Sequence, residues 1–190
     1  MTYTLRDLSR AEAKQVYEEQ MVRDFPPDEL KSWRAIEKML DEGMYRTCGL
    51  FAGEELCAYA YLLQAPGVPL MLLDYLAVCA DRRGQGHGSA MMQQLADLPQ
   101  PLLLEVEDTA YAADAAELQT RERRIHFYRK NGIRMSAVRA CLFGCRFAIM
   151  YSGEPQADQT IYDALTATYA CIRSHVPPQL QKDENFIITL

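Results

Sequence analysis

Residues 82–88, Arg-Arg-Gly-Gln-Gly-His-Gly, stand between an apolar strand-like run, Leu70 to Cys79, and a helix-like run, Ser89 to Leu98. A strand that passes into a helix through alternating glycines has few ways to fold. Glycine tolerates positive φ, so the N–H groups around Gly84, Gly86 and Gly88 can turn into one concavity, toward which the positive end of the following helix also points. The product is an anion cradle. Arg82 and Arg83 add fixed positive charge, which favours a phosphate or pyrophosphate over a carboxylate. The alternative is a Gly-rich surface turn with two solvated arginines; the flanking strand and helix favour the phosphate site.

From Arg83 the run reads Arg-x-x-Gly-x-Gly. It resembles the Arg/Gln-x-x-Gly-x-Gly/Ala signature of the GNAT superfamily of acetyl-coenzyme A dependent N-acetyltransferases, and Leu76-Ala77-Val78 resembles the end of that family's fourth strand. About forty residues on, Ile125-His126-Phe127-Tyr128-Arg129-Lys130-Asn131-Gly132-Ile133 is similar to the family's later motif, in which a tyrosine on a short helix precedes the step into the next strand. The resemblance runs over most of residues 2–152. It implies one α/β domain over 1–190, with a mixed central sheet of about seven strands flanked by helices and splayed between the fourth and fifth. A C-terminal helix and tail, 153–190, lie outside the shared core. By the same resemblance acetyl-coenzyme A binds along Leu76, Ala77, Val78, Arg83, Gly84, Gln85, Gly86, His87, Gly88 and Ser89, with His87 contributing its backbone N–H. The second motif departs from the family pattern: Arg121 stands where an asparagine is common, Arg124 replaces a small residue and Ile133 an aromatic. Arg121, Arg123 and Arg124 could contact the nucleotide phosphate or form a solvated helix face with Glu122.

Composition excludes more than it selects. The chain has 190 residues, 49% of them hydrophobic, enough for one domain with a sizeable core. No apolar run approaches the roughly eighteen residues of a membrane span, and Met1-Thr2-Tyr3-Thr4 lacks the features of a secretion signal, so the expected location is cytoplasmic. Cys48, Cys57, Cys79, Cys141, Cys145 and Cys171 sit mostly in apolar runs without ligand spacing, and neither disulfides nor a metal site is expected. A net charge of −6 argues against a general nucleic-acid binder and is compatible with a cationic amine, either a small molecule or a peptide. A homodimer is compatible with the same reading.

Along the chain, Thr2 to Leu5 reads as a strand, and Ser9-x-x-Glu12 is a capping-box signal for a helix carrying Ala13, Val16 and Tyr17. Pro26-Pro27 breaks it. Leu30, Trp33, Ile36 and Leu40 mark a second helix, closed by Gly43, before a hairpin of Tyr45 to Phe51 and Leu56 to Leu63 around Gly53. Leu70 to Cys79 is apolar on both faces, hence a central strand. Leu102 to Val106 is the next strand, and Glu107 to Thr120 reads as a loop or short helix. Strands from Ile133 to Leu142 and Phe143 to Tyr151 follow the Tyr128 helix. A final helix, Gln159 to Arg173, carries Ile161, Leu165, Tyr169 and Ile172 on one face.

Three side chains are candidates for acetyl transfer. An alkyl amine with a pKa of about 10.4 is nearly all protonated at neutral pH, so a base is useful. Asp74 interrupts an otherwise apolar strand and is the candidate base; its alternative is a structural, hydrogen-bonded aspartate. Glu105 and Glu107 fall on one face of the fifth strand, where Glu105 could bind a cationic amine or share the base role, while Glu107 reads as lying past the strand end in water. Tyr128 is the general acid by resemblance: a phenol can donate a proton or hydrogen bond to the departing thiolate. The oxyanion would rest on backbone N–H groups near Leu76 to Val78.

The reading is therefore direct attack of a primary amine on acetyl-coenzyme A in a ternary complex. Two alternatives stand beside it: a Rossmann-like nucleotide-binding enzyme, since Glu105 falls about twenty residues after the glycines, and an acyl-coenzyme A sensor on the same fold. Acceptor specificity is expected from Arg23 to Ser32, Glu107 to Thr120 and the last forty or so residues.

Overall fold

The computed structural model describes residues 2–27 and 29–190. Two compact units divide the chain: residues 1–64 with 73–97, and residues 65–72 with 98–190.

In the first unit the strands lie in the order β1-β2-β3-β4. β1 (Tyr3–Asp7) runs antiparallel to β2 (Tyr45–Ala52), which returns as β3 (Glu55–Leu63) through a turn with Gly53 at φ +63°. β4 (Met71–Val78) enters this unit at Leu73, and the Cys79 N–H donates to the Cys57 carbonyl at 3.0 Å. Every residue from Cys57 to Leu63 is fully buried. A strand buried on both faces must place its polar atoms inside, and Tyr61 accordingly donates its hydroxyl to the Ala13 carbonyl at 2.6 Å.

α1 (Arg10–Val16) starts at the expected capping box, in which the Ser9 side chain accepts from the Glu12 N–H and the Glu12 carboxylate accepts from the Ser9 N–H. It continues as a π-helical turn, Tyr17–Met21, into α2 (Val22–Asp24), and the two prolines after Phe25 end it. α3 (Trp33–Asp41) is capped by Ser32, so Leu30 precedes the helix rather than belonging to its apolar face. α4 (His87–Ala96) buries Met91, Met92 and Leu95.

In the second unit the order is β5-β7-β6-β8. β5 (Leu102–Glu107) pairs antiparallel with β7 (Cys145–Tyr151), and β7 with β6 (Arg134–Leu142). The β6–β7 turn is made by Phe143 and Gly144 at φ +50° and +87°. The Met71 N–H donates to the Pro101 carbonyl at 2.9 Å, aligning the start of β4 with the entry to β5.

Two elements differ from the sequence expectation. The polar, alanine-rich segment before the second motif supplies the first turns of one long helix, α5 (Ala115–Lys130), because Asp114 caps it by accepting from the Glu117 N–H. After α6 (Asp158–Arg173) the tail returns as an edge strand, β8 (Phe186–Thr189), paired with β6, which makes eight strands among the described residues rather than about seven. That strand is four residues long, too short for alternation to announce it. α6 buries the expected face, Ile161, Leu165, Tyr169 and Ile172.

Candidate active site

Gly84 and Gly86 carry φ of +77° and +88°, and a Cβ at either would meet nothing within 4 Å. Conformation, not crowding, requires glycine at both. Gly86 is the N-cap of α4, and among the described residues no side chain caps that helix. Its opening N–H groups therefore lack a side-chain acceptor at the end where the helix dipole is positive, which fits a phosphate or pyrophosphate. The helix begins earlier than expected: His87, Gly88 and Ser89 form its first turn, so the loop proper ends at Gly86.

His87 does more than lend a backbone N–H. Its ring is 2% exposed, with Nδ1 at 3.0 Å from the Tyr3 hydroxyl and the two rings edge to face at 5.6 Å, which ties the first turn of α4 to β1. Tyr3 is 84 residues away in sequence, so no local pattern could signal it.

The arginines before the glycines are already engaged. Arg83 Nη2 lies 2.5 Å from Asp24 Oδ1, and Nε donates to the Val78 carbonyl at 3.2 Å. Arg82 pairs with Glu55 at 2.8 Å and with Asp81 at 3.4 Å, while Gln85 Nε2 donates to the Asp81 carbonyl at 3.3 Å. The fixed positive charge expected beside the glycines is thus shared with Asp24, Glu55 and Asp81. Leu76, Ala77 and Val78 form the half-buried end of β4, in contrast to the buried Met71 to Leu73.

Asp74 is a buried carboxylate with both oxygens engaged. Its side chain is 4% exposed and meets Lys31 Nζ at 2.7 and 2.9 Å, while the Tyr45 hydroxyl donates to Oδ2. Burial, followed by the nearby Asp74 charge, raises the Tyr45 phenol well above its ordinary pKa, so it stays a donor. The Lys31 N–H also donates to the Tyr75 hydroxyl at 2.8 Å, Tyr75 donates to the Glu29 carbonyl at 2.9 Å, and the Phe25 ring meets the Tyr75 ring edge-on at 4.9 Å. Phe25, Glu29 and Lys31 are thus fastened to β4. Lys31, which carried no signal in the sequence, is the centre of that fastening.

In the second unit Glu105 accepts a hydrogen bond from the Tyr169 hydroxyl of α6. Glu107 lies inside β5 rather than past its end, paired with Arg124 and 3.8 Å from Arg121. Arg121 also reaches Glu117 at 2.6 Å and the Asp108 carbonyl at 2.5 Å, and Arg123 meets the Thr120 hydroxyl at 3.1 Å. Arg121 and Arg124 thus brace α5 against Glu107 of β5, while Arg123 turns back onto its own helix. Tyr128 sits half-buried in the last turns of α5, where burial raises its phenol pKa and Arg124 partly offsets the rise. Among the described residues its hydroxyl has no hydrogen-bond partner.

The model of the acetyltransferase (GNAT) family matches residues 4–133, and the chain belongs to that family. It is an acetyltransferase with the mixed α/β fold, an open mixed sheet flanked by helices. YjbC of Bacillus subtilis (strain 168), described as an acetyltransferase, is 26% identical over 165 residues, covering 83% of this chain and 81% of that one. A Bacteroides thetaiotaomicron structure, described as a GNAT acetyltransferase, superposes with a TM-score of 0.73 at 19% identity, covering 92% of this chain and 99% of the other. Spermidine N-acetyltransferase from Vibrio cholerae, solved with CoA and spermine, gives 0.58 at 13% identity over 78% and 94% of the two chains. Among the described residues no helix is long and apolar enough to cross a membrane.

Proposed function

We propose that the protein transfers an acetyl group from acetyl-coenzyme A to a primary amine by direct attack. The observation that carries the reading is the Gly84–Gly86 turn, which ends in a helix whose first N–H groups no side chain caps among the described residues. The residues suited to the coenzyme are the end of β4, Leu76 to Val78, the loop Arg83 to Gly86, and the first turn of α4, His87 to Ser89. The coenzyme supplies an activated thioester; the protein supplies contacts and protons. Backbone N–H groups of the loop and of α4 would hold its pyrophosphate, and glycine would let them approach it.

Tyr128 holds a proton at its Oη. A phenol is protonated at neutral pH and burial moves its pKa further up, so it can donate to a sulfur on which negative charge grows. Glu105 offers a carboxylate that attracts the cationic acceptor, with Tyr169 fixing one of its oxygens. Asp74 supports the acceptor side by holding Lys31, because both of its oxygens are occupied. Direct attack, without a covalent relay, is favoured by the thiol beside the loop: Cys79 is 3% exposed and burial pushes its pKa up to about 11, against a nucleophilic thiolate. Spermidine in the Vibrio cholerae enzyme, and an alanine of ribosomal protein S18 in an Escherichia coli structure with a TM-score of 0.54, are both amine-bearing acceptors. A panel of polyamines, amino acids and peptides, assayed for acetyl-coenzyme A dependent thiol release, tests the proposal. Release with at least one amine and acetylation of its nitrogen is the expected result; hydrolysis alone would overturn it.

A further inference from the structure

Asp24 closes α2, and its carboxylate is 8% exposed. A buried carboxylate needs donors, and it has two: the Tyr59 hydroxyl at 2.8 Å on Oδ2 and Arg83 Nη2 at 2.5 Å on Oδ1. Tyr59 belongs to the buried stretch of β3 from Cys57 to Leu63, and the Asp24 bond adds to burial in raising its phenol pKa, so Tyr59 is a fixed donor. Arg83 is 56% exposed and would, if unheld, sample many rotamers. Instead its Nε reaches back to the Val78 carbonyl, the last residue of β4. One guanidinium therefore joins α2 and the end of β4 from the residue immediately before Gly84.

We propose that Asp24 is a positioning residue for the coenzyme cradle. Acting through Arg83, it fixes the step from Val78 to Gly84 and so presets the N–H groups that receive the pyrophosphate. The inference rests on the proposed coenzyme site and deepens it. It also inverts the sign that charge alone gives. Coenzyme A is a polyanion, so deleting a nearby carboxylate should, by Coulomb's law, tighten its binding. If Asp24 instead supports the cradle, deleting it weakens binding, because Arg83 and the loop must then be ordered at the expense of affinity.

Calorimetric titration of the full chain with coenzyme A separates the two. The expected result is a dissociation constant raised about tenfold in Asp24→Asn, a matching rise in the acetyl-coenzyme A KM, and an amine KM left as it was. Arg83→Gln should weaken binding by a similar factor, and Asp24→Asn combined with Arg83→Gln should add little, since both act through one contact. In the ligand-free protein, amide hydrogen exchange at residues 84–88 should quicken in Asp24→Asn. Unchanged or tighter binding in Asp24→Asn, with unaltered exchange, would overturn the assignment. Tyr59→Phe keeps the ring and removes one donor, giving a milder version of the same weakening should Asp24→Asn not fold; unaltered binding there would count against the proposal equally. Failure of the wild-type protein to bind coenzyme A would refute the proposed function, a separate outcome.

Discussion

Lys31 reaches both Asp74 and Tyr75, the former through its ammonium at 2.7 Å and the latter through its backbone N–H at 2.8 Å. Consecutive residues of a pleated strand normally face apart, and this lysine spans the pair. The ion pair is buried, with side chains 14% and 4% exposed, so removing one partner leaves an uncompensated charge. Asp74→Asn should therefore lower stability by roughly 3–5 kcal/mol, and Lys31→Met combined with Asp74→Leu by less than either change alone. Urea unfolding measures both. Asp74→Asn should also keep the acidic limb of the rate-versus-pH profile; a flattened limb would make Asp74 the base.

Tyr128→Phe retains the ring and loses the proton donor. Turnover should fall roughly a hundredfold or more while coenzyme affinity changes little. Burial raises the phenol pKa, so the donor is present below that value and lost above it. The wild-type alkaline limb should accordingly lie above the ordinary phenol value of about 10. Steady-state rates across pH for both proteins test this.

Gly86→Val forces a β-branched residue to φ +88°. Coenzyme A at a hundred times its dissociation constant should stabilise the wild type by about 2.7 kcal/mol, and the variant should show no such gain. Thermal denaturation with and without ligand gives the comparison.

Glu105→Gln should raise the amine KM and spare that of acetyl-coenzyme A. Tyr169→Phe, which removes the hydrogen bond to that carboxylate, should shift the same constant in the same direction by a smaller factor. Parallel kinetics on the two variants decide whether α6 tunes the acceptor side.

The Glu12 carboxyl is held at about 2, first by the Arg6 guanidinium and then by the Ser9 N–H. Its folded pKa is depressed, so its contribution to stability is complete above the unfolded value of about 4.3 and is lost as pH falls toward 2. The melting-temperature gap between the wild type and Glu12→Gln should be constant near neutrality and close across that acidic window.

Local signals made much of this molecule legible. The capping box at Ser9, the Gly53 hairpin, the glycine turn and the apolar face of α6 are each written within a few adjacent residues. What was hidden depends on distant partners. Asp24, Tyr59 and Arg83 meet across gaps of up to 59 residues, and Lys31 and Asp74 across 43, so the sequence can single out Asp74 and Arg83 but not the partners that hold them. Nor does any local pattern show that Arg83 has Asp24 beside it, or that Glu107 is paired with Arg124 rather than solvated.

The Tyr169 hydroxyl reaches Glu105 from a helix that begins 25 residues beyond the end of the family match. On the proposed reading, drift in the tail would alter what meets the acceptor while leaving the glycine turn untouched. Change of clientele and retention of the acetyl donor would then be written in separable stretches of the chain.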